Sequence, residues 1–437
     1  ARAPLIDGRP RVVATYQPET VVDLGSLLAR AADLGIDREA LEHMLNEYYG
    51  RSILRNVQDP RAWAHGLYAI VILAVQRPAP LVGSSGRSVE VLPYVVRYVI
   101  DPKALLERKT SAHPAFHAHA LSPELLARTS GHPLPATRAK MVLLGCGSLG
   151  SKLGLHLGRG GFGDLTFVDK EAMSPHNLAR HALVDEMSVL LPPNKAEHMK
   201  TAFAKLSHQD TRAINADAVS VFTEATRFAD VVPADAALIV DATASLQVLA
   251  AASKSAPLAG HAGRLARATM YGQGRCGVLT LEGPGRAARV DDLCGLLFER
   301  CRSDPRLRAA IAGDSTGPTR IFVGDNCRSL TTPMSDAVVS RSAAPMAIQI
   351  ERWLVDGVPP AAQICIGVGD TAGLGMSWVT VEVPPVTIIP VAEDGGWEVR
   401  VLPPVAHAID ADAHRWGRLE TGGALIGRIS YECRTIT

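Results

Sequence analysis

Met141-Val-Leu-Leu-Gly145-Cys-Gly-Ser-Leu-Gly150, continued by Ser151-Lys-Leu-Gly-Leu-His-Leu-Gly-Arg159, is the stretch on which the fold turns. Met141–Leu144 is a short run of apolar residues without alternation, the pattern of a strand buried on both faces. Ser148–Arg159 has helix composition, so the glycine loop Gly145–Gly150 lies between a strand and a helix. Its glycines let the backbone turn tightly and approach a phosphate. The helix N-terminus adds free N–H groups and a favourable dipole. Alone, such a G-x-G-x-x-G loop fits a dinucleotide as well as ATP and is a weak signal.

Moving outward, Leu165–Val168 reads as a second strand that ends at Asp169, where a carboxylate can hold ribose hydroxyls. Lys195–Leu206 reads as a helix and Ala237–Val240 as another buried strand. Arg267–Tyr271 and Gly277–Leu281 look like two more. Strands separated by helices predict an α/β fold over about 135–285: a doubly wound, mostly parallel, Rossmann-like sheet covered on both faces.

The segment Asp169-Lys-Glu-Ala-Met-Ser-Pro-His-Asn177-Leu-Ala-Arg180-His181 separates the two nucleotides. Asn177 and Arg180 follow the acid, and Lys195 opens the next helix. Taken singly, each cation reads as ordinary solvated surface. Together behind a glycine loop they suit a triphosphate, since Arg and Lys neutralise the charge that builds as pyrophosphate leaves. A nicotinamide enzyme has no use for that arrangement.

At Gly145, Gly147, Gly150, Asp169, Asn177, Arg180 and Lys195 the sequence resembles the ThiF/MoeB/ubiquitin-activating superfamily. The resemblance implies that these residues bind ATP, with Arg180 and Lys195 stabilising the transition state of acyl-adenylate formation, in a fold that is usually dimerised. The family normally ends its fourth strand with D-x-x-D-N, the second Asp holding Mg2+. Here the string is Asp241-Ala-Thr-Ala244-Ser245, which leaves Asp241 as the candidate metal ligand. Arg138 is a poor stand-in for the arginine that, in the family, reaches into a partner's site.

Activating enzymes of this kind carry a nucleophilic cysteine after the adenylation core. Val323-Gly-Asp-Asn-Cys327-Arg-Ser-Leu-Thr-Thr-Pro-Met-Ser-Asp336 has that place, with Arg328 and hydroxyls beside the thiol and a helix, Ser335–Val355, after it. A thiolate there would attack the mixed anhydride. Cys146, Cys276, Cys294, Cys301 and Cys365 read as buried hydrophobes. Glu420-Thr-Gly-Gly-Ala-Leu-Ile-Gly427 resembles the opening motif of JAB/JAMM metalloproteases, in which the glutamate is general acid/base on a zinc-bound water. The family's later zinc ligands do not occur, so Zn2+ is expected only if a complete JAB domain follows residue 437. A core, a transfer cysteine and a JAB start together resemble the activating-enzyme/JAB fusions of bacterial ubiquitin-like conjugation operons.

The bulk numbers exclude other classes. A net charge of +1 over 437 residues gives no basic surface for nucleic acid. The longest apolar run, Leu67–Val75, is far short of the roughly 20 residues that cross a bilayer. Seven scattered cysteines without a C-x-x-C pair argue for reduced thiols and a cytoplasmic protein, and no secretory signal pattern opens the chain. Over 1–130, Asp37–Tyr49 has helical spacing, and Ala69–Val75 and Val89–Ile100 read as strands. His113, His117 and His119 lack a well-placed carboxylate and read as a loop rather than a metal site.

The expected layout is an N-terminal α+β accessory domain over 1–130 and an adenylation domain over 131–375, with its catalytic-cysteine segment at 313–335. A β-rich linker and the truncated start of a JAB-like domain fill 376–437. The expected function is ATP- and Mg2+-dependent adenylation of a ubiquitin-like protein, thioester formation on Cys327 and transfer to a conjugating enzyme, by a homodimer. The alternatives are a sulfur-carrier adenylyltransferase without the thioester step, a degenerate scaffold that binds a ubiquitin-like protein, and a nicotinamide-dependent oxidoreductase.

Overall fold

The computed structural model describes residues 5–6, 9–58, 67–82, 86–98, 110–116, 120–184, 192–312, 321–322, 330–370, 372–391, 396–417, 419, 423–425, 427–431 and 433–437. The chain divides into two units, Ala1–Leu121 and Ser122–Thr437.

In the first unit, helix α1 (Leu24–Asp33) begins on a reciprocal cap. The Asp23 carboxylate accepts from the Ser26 amide at 2.7 Å, and the Ser26 hydroxyl accepts from the Asp23 amide at 3.0 Å. Helix α2 (Arg38–Gln58) runs well past Tyr49, where its apolar spacing fades. Strands β1 (Leu67–Gln76), β2 (Val89–Tyr98) and β3 (Ser111–Pro114) form an antiparallel sheet. Along β1, Leu67, Ala69, Val71, Leu73 and Val75 share a core with Leu27 and Leu28. Their neighbours Tyr68, Ile70 and Ile72 are exposed. That is the two-residue period of a sheet covered on one face.

The second unit is built on one eight-stranded sheet. Its strands are β4 (Met141–Leu144), β5 (Leu165–Val168), β6 (Arg212–Ile214), β7 (Leu238–Asp241), β8 (Arg264–Tyr271), β9 (Cys276–Leu281), β10 (Ala362–Gly369) and β11 (Met376–Val383). They lie in the order β11-β10-β9-β8-β7-β4-β5-β6. The run β6-β5-β4-β7-β8 is parallel, and β9, β10 and β11 add antiparallel strands at its far side. In the parallel run the strand order reverses between β4 and β7, where α/β sheets open a crevice at the carboxyl ends of their strands.

Every residue of β4, β5 and β7 is buried, as continuous apolar runs require when both faces are covered. On one face lie the helices Ser148–Arg159, Lys195–Lys205 and Asp336–Val355, through Leu153, Met199, Phe203, Met346 and Trp353. On the other lie Ala218–Thr223, Ala225–Val231 and Leu246–Ser253, through Phe222, Phe228 and Leu249. Strand Met376–Val383, expected in the linker after residue 375, instead pairs with β10 along its whole length and forms the sheet's edge. A separate four-stranded sheet follows, with strands Thr387–Pro390, Glu398–Val401, Ile429–Ser430 and Thr435–Ile436. Among the described residues, no helix is long and apolar enough to cross a membrane.

Candidate nucleotide site

Leu144 sits in register with Val168 on one side and Asp241 on the other. The glycine loop therefore leaves the sheet between the carboxyl ends of two neighbouring strands. Gly145 has φ +88°, and a Cβ there would lie 2.9 Å from the Thr243 amide nitrogen. A Cβ on Gly150 would lie 1.9 Å from the Gly145 carbonyl oxygen. These two glycines fold the loop onto itself and onto the β7 turn. Above Gly147 a Cβ would meet nothing within 4 Å. No side chain caps the helix that Gly147 starts, so its first-turn N–H groups remain to bind an anion.

A cavity of about 290 Å³ opens over this loop, lined by Gly145, Gly147, Asp169, Glu171, Asp217 and Thr243 among others. Asp169 accepts from the Cys146 amide at 2.7 Å and from the Glu171 amide at 2.8 Å. Burial raises its pKa above the ordinary aspartate value, while those amides and Lys195 pull the other way. Lys195, nearly fully buried, pairs with Glu171 at 2.5 Å; that glutamate is 64% exposed. Gly145, Gly147 and Asp169 thus line one cavity, with Lys195 attached to it through Glu171.

Asn177 and Arg180 lie at a short helical turn, Pro175–Ala179, and are not among the lining residues. The Asn177 side chain accepts from the Ser174 amide at 2.9 Å, closing a reciprocal cap of its own turn. Arg180 donates to the Thr332 carbonyl. Lys152, on the helix after the glycine loop, pairs with Asp336 at 2.6 Å. These two contacts tie the start of the long helix Asp336–Val355 to the nucleotide side of the sheet.

Asp241 is placed differently from the metal-ligand role expected for it. It is 2% exposed and ion-paired with the equally buried Arg267. Its other oxygen accepts from the Thr243 amide at 2.9 Å and the Thr243 hydroxyl at 2.6 Å. Among the described residues no group of three His, Cys, Asp or Glu side chains is arranged to hold a metal ion. Cys327, Glu420, His117 and His119 lie outside the described residues. Arg138 is exposed.

Burial pushes the thiols of Cys276, Cys301 and Cys365 upward, and that of Cys146 well above the ordinary value with Asp169 adding to it. None of these four is prepared as a thiolate.

His181 is a site residue that the sequence did not single out. It is 5% exposed and bonds through Nε2 to the Cys146 carbonyl oxygen at 3.0 Å, while the Leu183 amide donates to Nδ1 at 3.1 Å. Nδ1 is therefore the acceptor and Nε2 the protonated donor. Burial lowers its pKa to about 4, so it clamps the glycine loop as a neutral ring. A lone histidine in the string carried no signal for that role.

Residues 134–255 match the model of the ThiF family, so a ThiF family domain lies around the Gly145 loop. No curated protein sequence gives a significant match. Among solved structures, MccB of E. coli with AMPCPP and MccA shares 16% identity at a TM-score of 0.39, over 59% of this chain and 66% of that one. MccB with ATP gives 16% and 0.40. PaaA gives 15% and 0.39, over 64% of this chain and 81% of its own. Likenesses this distant carry no function across.

Proposed function

We propose that the chain is an adenylyltransferase that activates the C-terminal carboxylate of a ubiquitin-like protein with ATP. The observation that supports this best is the cavity over Gly145–Gly147, with Asp169 at one wall and an uncapped helix N-terminus at its floor. It lies within the segment that matches the ThiF family. The residues fit ATP: Asp169 presents a carboxylate to the ribose, and the open space above Gly147 admits phosphate oxygens to the first-turn amides. Lys195, which pairs with the cavity-lining Glu171, would offset the charge of the phosphates.

In the proposed reaction a carboxylate oxygen of the ubiquitin-like tail forms a bond to the α-phosphorus. The bond from that phosphorus to the β-phosphate oxygen breaks, and pyrophosphate leaves. Lys195 and Arg180 offset the charge that gathers on it. The Cys327 thiolate then attacks the acyl carbon; a thioester forms and AMP departs. The thioester passes to a conjugating enzyme, with the protein acting as a cytoplasmic homodimer. Glu420 belongs to a JAB-like segment that would act on the same class of carrier.

Carrier-dependent exchange of labelled pyrophosphate into ATP tests the first step. It should persist in Cys327→Ala, while a thiol-sensitive carrier adduct disappears. Exchange and cargo transfer that are intact in Cys327→Ala, with no thiol-sensitive adduct in either protein, would leave a sulfur-carrier adenylyltransferase without a thioester step. A second reading, a scaffold that binds the carrier without turnover, is favoured by one observation: Asp241 is sequestered by Arg267 and Ala244 offers no carboxylate. It predicts carrier binding and no exchange.

A further inference from the structure

We infer that this protein gives no carboxylate ligand to Mg2+ and that its nucleotide site, as read above, binds ATP independently of divalent cation. Magnesium demands near-octahedral oxygen ligands, and proteins usually contribute one or two carboxylates beside the phosphates. The residues here do not fit that requirement. Ala244 stands where the resemblance places the metal-binding acid. Asp241, three residues earlier, is fully buried, with one oxygen on Arg267 and the other on both the amide and the hydroxyl of Thr243. Turning it towards a metal would strand a buried guanidinium. Arg267 already has a buried Nε without a hydrogen-bond partner, and Thr280, opposite it in register, has an unpartnered Oγ1. The Ser245 carbonyl, which accepts from Arg267 at 3.1 Å, and the Thr280 hydroxyl are neutral, so neither replaces the counter-charge of Asp241.

The acids that line the cavity are engaged as well. Asp169 is held by two amides. Asp217 pairs with Lys170 at 2.8 Å and accepts from the Val219 amide at 2.9 Å. Glu171 holds Lys195. From β7 onward the cavity is lined only by neutral residues, Ala242, Thr243, Ser245, Gln247 and Val248, and the Ser245 hydroxyl accepts from the Val248 amide at 3.3 Å. Positive charge towards the phosphates therefore comes from protein cations and helix amides. The backbone at Ala244 has φ +56°, a region in which Asp is enriched among non-glycine residues. Ala244→Asp is thus a substitution the turn accepts.

Calorimetric titration of the full chain with ATP, in excess Mg2+ and again in excess EDTA, tests the inference. Wild-type affinities should agree within about threefold, and Ala244→Asp should bind about tenfold or more tightly with Mg2+ than with EDTA. A wild-type protein that binds ATP more than about tenfold better with Mg2+ overturns the inference and leaves the nucleotide reading standing. An Ala244→Asp variant indifferent to Mg2+ also overturns it, since position 244 is then not where the ligand is missing. No ATP binding in either medium removes the nucleotide reading, and this inference with it.

Discussion

Asp169 and Asp241 stand on either side of the same glycine loop, one just past the end of β5 and the other at the end of β7. Each has its oxygens engaged, yet their surroundings are opposite. Asp169 is held by backbone amides and faces a cavity. Asp241 is held by a guanidinium and a threonine and is closed off from solvent. Residue type and strand position do not decide what a carboxylate does. Amide partners leave an anion its charge and a face to offer a ligand, whereas a buried cation uses both.

The difference can be broken from either side. Asp241→Ala leaves Arg267 buried without its counter-charge, and the loss should be about 3–5 kcal/mol in urea unfolding. Adding Arg267→Met should restore a large part of it. Little recovery in the double variant would mean that the ion pair does not carry the cost.

On the Asp169 side, His181 gives a pH signature. Its native pKa lies below the unfolded value, so between about pH 6.5 and 4 the unfolded chain binds more protons. Stability is full above that window and falls as pH drops through it, by about 3 kcal/mol at most. Burial raises Asp169 and Glu282, which act with the opposite sign at the acid end. His181→Gln, which keeps a donor for the Cys146 carbonyl, should flatten the His181 part of the slope in unfolding curves taken at several pH values.

Asp169→Ala should weaken ATP by about thirtyfold, or roughly 2 kcal/mol, and cost about 1 kcal/mol of stability, because the Cys146 amide loses its acceptor. The smallest effects separate two glycines. Gly145→Ala forces a side chain into the left-handed region against Thr243 and should cost about 1–2 kcal/mol. Gly147→Ala, with open space above it, should stay within about 0.5 kcal/mol in thermal unfolding while still impeding nucleotide.

Much of this was legible in the sequence because the parallel strands carry a local signal. Apolar runs such as Met141–Leu144 and Ala237–Val240, each closed by a glycine loop or an acid, give both the strand and its carboxyl end. The pairing of Asp241 with Arg267 was not legible. It joins residues on neighbouring strands, and nothing in Asp241-Ala-Thr-Ala244 names the cation that β8 brings beside it. Strand Met376–Val383 falls where the sequence predicts a β-rich linker, since an antiparallel edge strand carries no mark of the sheet it joins. His181 was missed because its role lies in one hydrogen bond to a distant carbonyl.

The most direct test of the account is competition between nucleotides at the Asp169 cavity. Titration of the full chain with ATP and with NAD(P)H, in wild type and Asp169→Ala, should give one saturable ATP site that the substitution weakens, and no binding of NAD(P)H. Preferential NAD(P)H binding, or ATP binding untouched by Asp169→Ala, would contradict it.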